Sequence, residues 1–330
     1  MIARRPPDLT GVSAIWIREV RARMRGKRAF VFLTFYLTVL AGLLWIGLRS
    51  ATEGPLTALE SISVGRGIFG AIVLIETLVV LILAPAYTAA SISQEREKGT
   101  FDLLAVTPIS SLAIVLGKLV SALLFLAVVI GASIPLASLA FLFGGMGLEH
   151  LVISYVIIAA VGIGAGAVGV ACSAIFRRSQ AATVAAFVAV ALVAGGSTVA
   201  WISMETRIRD ENSADPPDAL LYPNPFIAQA DVLCLVTGGG CSATPVRSRG
   251  NPVPEAAPIA AGQPAAAAPL QPDPVPNEPG SVWPWSVLAW LTVAVVAILI
   301  AADSVSPTRR LRRRPAGPLF ARNQRRTAHE

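Results

Sequence analysis

Residues 93–108 read Ser93-Gln94-Glu95-Arg96-Glu97-Lys98-Gly99-Thr100-Phe101-Asp102-Leu103-Leu104-Ala105-Val106-Thr107-Pro108, a charged patch and a short apolar segment that separate two long hydrophobic runs. The helix that enters from Pro85 to Lys98 is expected to stop at Gly99, because glycine adopts the left-handed conformation that ends helices. Thr100 can cap a new helix, and Asp102 then lies in its first turn, near the positive end of the helix dipole. Pro108 ends this helix after about two turns, since the residue before a proline avoids the α conformation.

The predicted helix is too short to be stable by itself in water. It nevertheless carries four apolar side chains, Phe101, Leu103, Leu104 and Val106. These apolar side chains must be shielded from water, and two interpretations fit. The helix either docks into a groove on a cytosolic partner, or packs against its own helical bundle and the lipid headgroups.

The composition is typical of a polytopic membrane protein. Of the 330 residues, 54% are hydrophobic and 14% are charged, and the mean hydropathy is +0.66. Soluble domains of this length are far more polar, so the sequence predicts an all-α membrane protein without a separate soluble domain. The three cysteines, two of them in one loop, predict neither a disulfide scaffold nor a metal site.

Six hydrophobic runs are long enough to cross about 30 Å of hydrocarbon. They lie near Ala29–Leu48, Ile68–Ala90, Leu112–Phe143, Leu151–Phe176, Ala181–Ser203 and Trp283–Ala302. Most of the 27 Lys and Arg residues lie in the N-terminal arm, between Arg96 and Lys118, at Arg177 and Arg178, and in the tail after Asp303. Because basic loops stay in the cytosol, both termini and residues 93–108 are predicted on the cytosolic side of the cell membrane.

The spans divide the chain into three parts. Residues 1–28 form a basic arm, which is predicted to carry a helix on the inner leaflet, with a disordered arm as the alternative. Residues 29–303 form the transmembrane domain, which includes a cytosolic connection at 93–111 and a long outer loop at 204–282. Residues 304–330 form a basic tail that is expected to bind anionic lipids.

The connection between the second and third spans resembles that of type-2 ABC exporter permeases. In that family, as here, an acidic-basic-acidic cluster precedes Gly-Thr, a leucine pair and Thr-Pro, and a Gly-Lys pair follows, here Gly117-Lys118. The resemblance implies that the short helix is the coupling helix, which contacts a separate ATPase subunit. The residues that it assigns to docking this partner are Glu95, Arg96, Glu97, Lys98, Gly99, Thr100, Phe101, Asp102, Leu103, Leu104, Thr107 and Pro108.

The same resemblance implies a larger assembly. The chain would pair with a second permease, either a copy or a paralogue, and two ATPase subunits would bind ATP and Mg²⁺ and drive export. This chain has no phosphate-binding loop, because Gly26-Lys27 and Gly117-Lys118 lack the preceding glycine and the following Ser or Thr. No catalytic residue, metal or cofactor is therefore predicted in this chain.

Other classes of function compete with this one. A non-transporting membrane anchor that passes ATPase-driven motion to an outer partner would carry the same coupling segment. An intramembrane hydrolase fits poorly, because the only histidines, His150 and His329, lie outside the spans and form no Ser-His pair there. The basic tail lacks the interleaved aromatic residues that would indicate nucleic-acid binding.

Two polar or small-residue features lie inside the spans. Glu76 has only apolar neighbours on its own helix face, and a carboxylate in hydrocarbon costs several kcal/mol. It is a candidate lining residue of a translocation path, or else a buried carboxyl that another span satisfies. Gly164-Ala165-Gly166-Ala167-Val168-Gly169 matches a dinucleotide-binding fingerprint, but glycines in the middle of a span are predicted to serve close helix packing.

The outer loop has two parts. Asn224 as the cap and Pro225 as the first residue are expected to begin an apolar helix that runs through Val236. Cys234 and Cys241 face the oxidising side in this topology, and they can form a disulfide or remain two thiols. Residues 245–280 are rich in Pro and Ala and are predicted to be a solvated linker.

Overall fold

A computed structural model describes residues 27–52, 58–99, 111–143, 146–211, 218–235 and 281–305, and every regular element in these ranges is helical. The α-helices in the described ranges are α1 (Lys27–Thr52), α2 (Ala58–Thr88), α3 (Ser93–Glu97), α4 (Ser111–Ser138), α5 (Leu148–Ile175), α6 (Ser179–Ala191), α7 (Ser197–Glu211), α8 (Pro225–Leu235) and α9 (Trp283–Val305). Short 3-10 helices cover Leu139–Phe143 and Asp218–Leu220, and a π turn at Leu192–Gly196 joins α6 to α7. The predicted N-terminal interfacial helix, the coupling helix from Thr100, the 245–280 linker and the basic tail lie outside the described residues.

Six candidate spans confirm the predicted polytopic all-α class. By length and composition, the described helices that can cross a membrane are Phe30–Arg49, Ile62–Glu97, Ser111–Leu142, Leu148–Ile175, Ser179–Met204 and Trp283–Val305. Helices can cross membranes because their backbone N–H and C=O groups bond to one another within the segment. Hydrocarbon offers these groups no hydrogen-bond partner. The number and order of the predicted spans therefore agree with the structure.

Helix α5 lies at the centre of the bundle and packs against α2, α4, α6 and α9. Its glycines face these neighbours at close range: Gly162 faces Leu126, Gly164 faces Trp290, and Gly169 faces Thr88 and Pro85. A Cβ atom at Gly164 would lie 2.5 Å from Cε3 and 2.9 Å from the carbonyl oxygen of Trp290. The prediction that this glycine-rich stretch serves close helix packing is thus confirmed.

The second span ends differently from the predicted single helix through Lys98. Helix α2 ends at Thr88, the chain turns through residues 89–92, and α3 begins at Ser93. The hydroxyl oxygen of Ser173 on α5 accepts the backbone N–H groups of Ile92 at 2.8 Å and Ser93 at 3.0 Å. These bonds from another helix stabilise the break. The predicted stop at Gly99 is confirmed, because this residue has φ +70°.

The two ends of the bundle carry different structures. Ser154 and Ser173 lie about 28 Å apart along α5, at 1.5 Å per residue. Near Ser154, the short helix α8 packs against α2, α5 and α9. Near Ser173 lie α3 and the two residues that follow it, Lys98 and Gly99, which we call the charged turn (residues 93–99).

Candidate functional site

The charged turn is bound to three other helices of the same chain. The Glu95 carboxylate forms a partly buried ion pair with the Lys118 ammonium group on α4. The Arg96 guanidinium group donates a hydrogen bond of 2.6 Å to the Ala174 carbonyl oxygen, in the last turn of α5. A cation is favourable there, because the carbonyl groups at a helix C-terminus carry partial negative charge.

Glu97 completes this set of contacts at the start of α6. Its carboxylate accepts the Ser179 backbone N–H at 2.7 Å and the Ser179 hydroxyl at 2.9 Å. A carboxylate at the first turn of a helix satisfies an N–H group that has no partner within that helix. Glu95, Arg96 and Glu97 thus tie the turn to α4, α5 and α6 respectively.

Docking of a partner on the charged turn stays a prediction. The described contacts of Glu95, Arg96 and Glu97 are within the chain, and Glu97, Lys98 and Gly99 are exposed. The other predicted docking residues, Thr100 to Pro108, lie outside the described residues. The structure therefore shows these three charged residues as anchors of the charged turn on the bundle.

Replacing Glu97 by Ala should loosen the charged turn. The variant loses both bonds to Ser179, so the turn should open more often and trypsin should cleave after Lys98 several-fold faster. The measurement is timed trypsin digestion of the full-length protein in detergent, with the cleaved peptides identified by mass spectrometry. Gln94→Ala is the matched control, because Gln94 is exposed on the same short helix. Equal cleavage rates in the two variants would contradict the anchoring role of Glu97.

Helix α8 begins as the sequence predicts. The Asn224 side-chain oxygen accepts the backbone N–H groups of Phe226 at 2.9 Å and Ile227 at 3.3 Å, and Pro225 is the first helical residue. The Asn224 side-chain amide also donates to the Thr198 hydroxyl at 2.7 Å, which connects the start of α8 to α7. The predicted cap is therefore confirmed.

Two polar side chains of α8 are buried and reach other spans. The Gln229 side-chain amide donates to the Ser154 carbonyl oxygen at 3.1 Å and to the Thr77 hydroxyl at 3.4 Å. The Asp231 carboxylate accepts the backbone N–H groups of Val282 at 2.7 Å and Trp283 at 3.2 Å. Asp231 thereby caps the last span from outside its own helix, where the helix dipole favours a negative charge.

Replacing Asp231 by Ala should destabilise the protein by about 1–2 kcal/mol, because the first N–H groups of α9 lose their acceptor. Thermal unfolding of the purified protein in detergent should show a lower Tm. Asp231→Asn is the control, since an amide oxygen can still accept these bonds and should retain more of the stability. If both variants unfolded at the wild-type temperature, the proposed cap would have no energetic role.

Glu76 is fully buried at the contact of several spans. Its Oε1 atom lies 2.6 Å from the Ser133 hydroxyl oxygen on α4, which in turn lies 2.8 Å from the Tyr155 hydroxyl oxygen on α5. The buried Tyr36 hydroxyl on α1 lies close to Ser133 and to the Glu76 carboxyl group. Other spans thus supply polar contacts to this carboxyl, and its role in a translocation path stays a prediction.

One of the two outer-loop cysteines lies in a described helix. Cys234 lies near the end of α8, whereas Cys241 lies outside the described residues. Cys234 is disulfide-bonded, which favours the disulfide over two thiols, and its pairing with Cys241 stays a prediction. Cys172, by contrast, is a buried free cysteine that packs with Ala89 and Ala186.

Sequence reasoning did not find Gln229, Asp231, Ser173 and Ser179. The glutamine and the aspartate could have been found, because polar side chains in the otherwise apolar helix α8 need hydrogen-bond partners if they are buried. Ser173 and Ser179 gave no signal of their own, since serine is common both in helices and between them.

The fold and the contacts define a polytopic α-helical membrane protein whose second and third spans are joined by an anchored, charged connection. The family model described as "ABC-2 family transporter protein" matches residues 47–302. The chain therefore belongs to the ABC-2 transporter family and is a membrane component of an ABC transporter. No curated protein matches the chain.

Proposed function

We propose that this chain is the permease subunit of an ATP-driven exporter, and that ATP is hydrolysed by a separate subunit that docks on residues 100–106. The observation that carries this proposal is the charged turn. Three successive charged residues, Glu95, Arg96 and Glu97, hold the start of the docking segment against three different helices. A movement of the docked subunit would therefore be transmitted to α4, α5 and α6 together.

The assembly that we propose contains two permeases, identical or not, and two ATPase subunits that bind ATP and Mg²⁺. Both termini and the charged turn would lie in the cytosol, which agrees with the bias of Lys and Arg toward those segments. Closure of the ATPase pair on ATP would push the docking helices together. The permease would then change between inward-open and outward-open arrangements.

Purification from native membranes tests this proposal. The tagged chain is extracted in a gentle detergent, the proteins that accompany it are identified by mass spectrometry, and ATP hydrolysis is measured on the eluate. We expect an ATP-binding subunit and hydrolysis that needs Mg²⁺. An eluate without any ATP-binding protein would refute the permease assignment.

A membrane anchor without transport activity would give the same co-purification. Reconstitution into vesicles separates the two functions, because only a transporter moves a labelled lipid or peptide across the bilayer when ATP is supplied. We expect ATP-dependent movement of at least one such compound. ATP hydrolysis without movement of any compound in a broad panel would favour the anchor.

A further inference from the structure

Four buried polar atoms without hydrogen-bond partners among the described residues lie in one connected region. They are the Tyr36 hydroxyl, Glu76 Oε2, the Ser154 hydroxyl and Gln229 Oε1. We call the region formed by Tyr36, Glu76, Thr77, Ser133, Ser154, Tyr155 and Gln229 the polar seam. Glu76 and Thr77 are consecutive on α2, and Ser154 and Tyr155 are consecutive on α5, so the contacts of Gln229 lie one residue along each helix from those of the Glu76 site.

The carboxyl group of Glu76 has no cationic partner among the described residues, and its polar contacts come from Ser133 and Tyr155. The titratable groups that face it are Tyr36 from α1 and Tyr155 from α5. Helix α4 contributes the neutral Ser133, and α6 and the 3-10 helix at 139–143 contain no titratable residue. Helix α8 contributes the neutral Gln229. The one carboxylate of α8, Asp231, is bound instead to backbone N–H groups at the start of α9. An unpaired buried carboxylate would cost several kcal/mol.

The hydrogen bonds of Ser133 show where a proton would remove this cost. Its hydroxyl oxygen lies 2.6 Å from Glu76 Oε1, 2.7 Å from the Ile130 carbonyl oxygen and 2.8 Å from the Tyr155 hydroxyl oxygen. A serine hydroxyl can donate one hydrogen bond and accept two. With Glu76 as a neutral acid, the three contacts are satisfied together: the Ile130 carbonyl accepts the serine proton, and Glu76 and Tyr155 donate to the serine oxygen. That arrangement requires a proton on Glu76 Oε1.

We propose that Glu76 is a proton-binding site, which holds the neutral acid while α8 covers the polar seam. The proton lies on Oε1 and is donated to Ser133, while Oε2 remains a buried acceptor; the buried Tyr36 hydroxyl lies close to Glu76 and Ser133. Gln229 bridges Thr77 and Ser154 on the α8 side of the site and limits access from that end. When α8 moves away, a water molecule that enters takes the proton; the O–H bond of the acid breaks, and a carboxylate and a hydronium ion remain.

Labelling with dicyclohexylcarbodiimide tests this assignment in the full-length purified protein. The reagent is apolar and adds to carboxyl groups in their acid form, and the product is located by mass spectrometry of the peptide that contains Glu76. We expect labelling at neutral pH that decreases as the pH is raised. Glu76→Gln should remove the label from this peptide, and Gln229→Ala should speed the labelling of Glu76 several-fold by opening the seam.

Thermal unfolding provides a second and independent test. A glutamine amide can donate and accept in the places of the neutral acid, so Glu76→Gln should keep a Tm close to that of the wild type, whereas Glu76→Ala should lower it by several degrees. An equal loss of Tm in both variants would overturn the proposal. So would an unlabelled Glu76 in both the wild type and Gln229→Ala, or protection by Na⁺ or K⁺ at constant pH, which would assign the site to a metal cation.

Discussion

Replacing Leu104 by Asp should separate the chain from its ATPase subunit while the permease itself remains folded. The change places a charge in the centre of the predicted docking helix. If the contact is dry, the cost is several kcal/mol, which lowers the affinity by at least about 100-fold. The measurement is the amount of ATP-binding subunit that co-purifies with the variant, together with the ATP hydrolysis of the eluate.

Leu104→Met is the matched control, because methionine is similar in size and equally apolar. It should retain the partner and most of the hydrolysis. The Tm of the permease should be unchanged in both variants if residue 104 contacts the partner and not the bundle. A Leu104→Asp variant with normal assembly would refute the docking role, and one with a lowered Tm would favour the alternative in which this helix packs against its own bundle.

Replacing Gly164 by Leu should disrupt the bundle at its centre. The side chain would meet the ring and the backbone carbonyl oxygen of Trp290 on α9, and a backbone atom cannot move aside without moving its helix. Overpacking in a tight core costs about 1–3 kcal/mol, and four added carbon atoms at a helix contact should exceed that range. We expect a loss of monodisperse protein in size-exclusion chromatography, or a Tm lowered by many degrees.

Gly42→Leu is the control for this prediction. Gly42 lies on α1, where an added Cβ would meet nothing within 4 Å, so the same substitution adds the same apolar volume without a clash. Its product should be as abundant and as stable as the wild type. Equal behaviour of the two variants would show that the close contact of α5 with α9 does not limit stability.

Local signals explain what could be predicted from the sequence. The six spans follow from the length of the apolar runs, and the ends of helices follow from residues such as Gly99, Asn224 and Pro225. Each of these signals acts within a few residues. The glycines of α5 could likewise be assigned to packing, because they lie in the middle of a span.

The charged turn shows where local reasoning fails. Its acidic-basic-acidic pattern was recognised, but the partners of Arg96 and Glu97, the Ala174 carbonyl and Ser179, lie 78 and 82 positions away. The break between α2 and α3 also depends on Ser173, which is 81 positions from Ile92. No local pattern encodes such pairs, so the prediction of a continuous helix through Lys98 is wrong.

Glu76 separates what the sequence determined from what the tertiary structure decided. A carboxyl group in an apolar run must find polar partners or a proton, and this requirement follows from the sequence and the physics of hydrocarbon alone. Which groups meet it depends on the depth and rotation of each neighbouring helix. The close contacts of α5 set that geometry for its neighbours, and they bring Ser133 and Tyr155 from two other helices to the same carboxyl group. Hydrogen bonds act over about 3 Å, so only the packed bundle could select these partners.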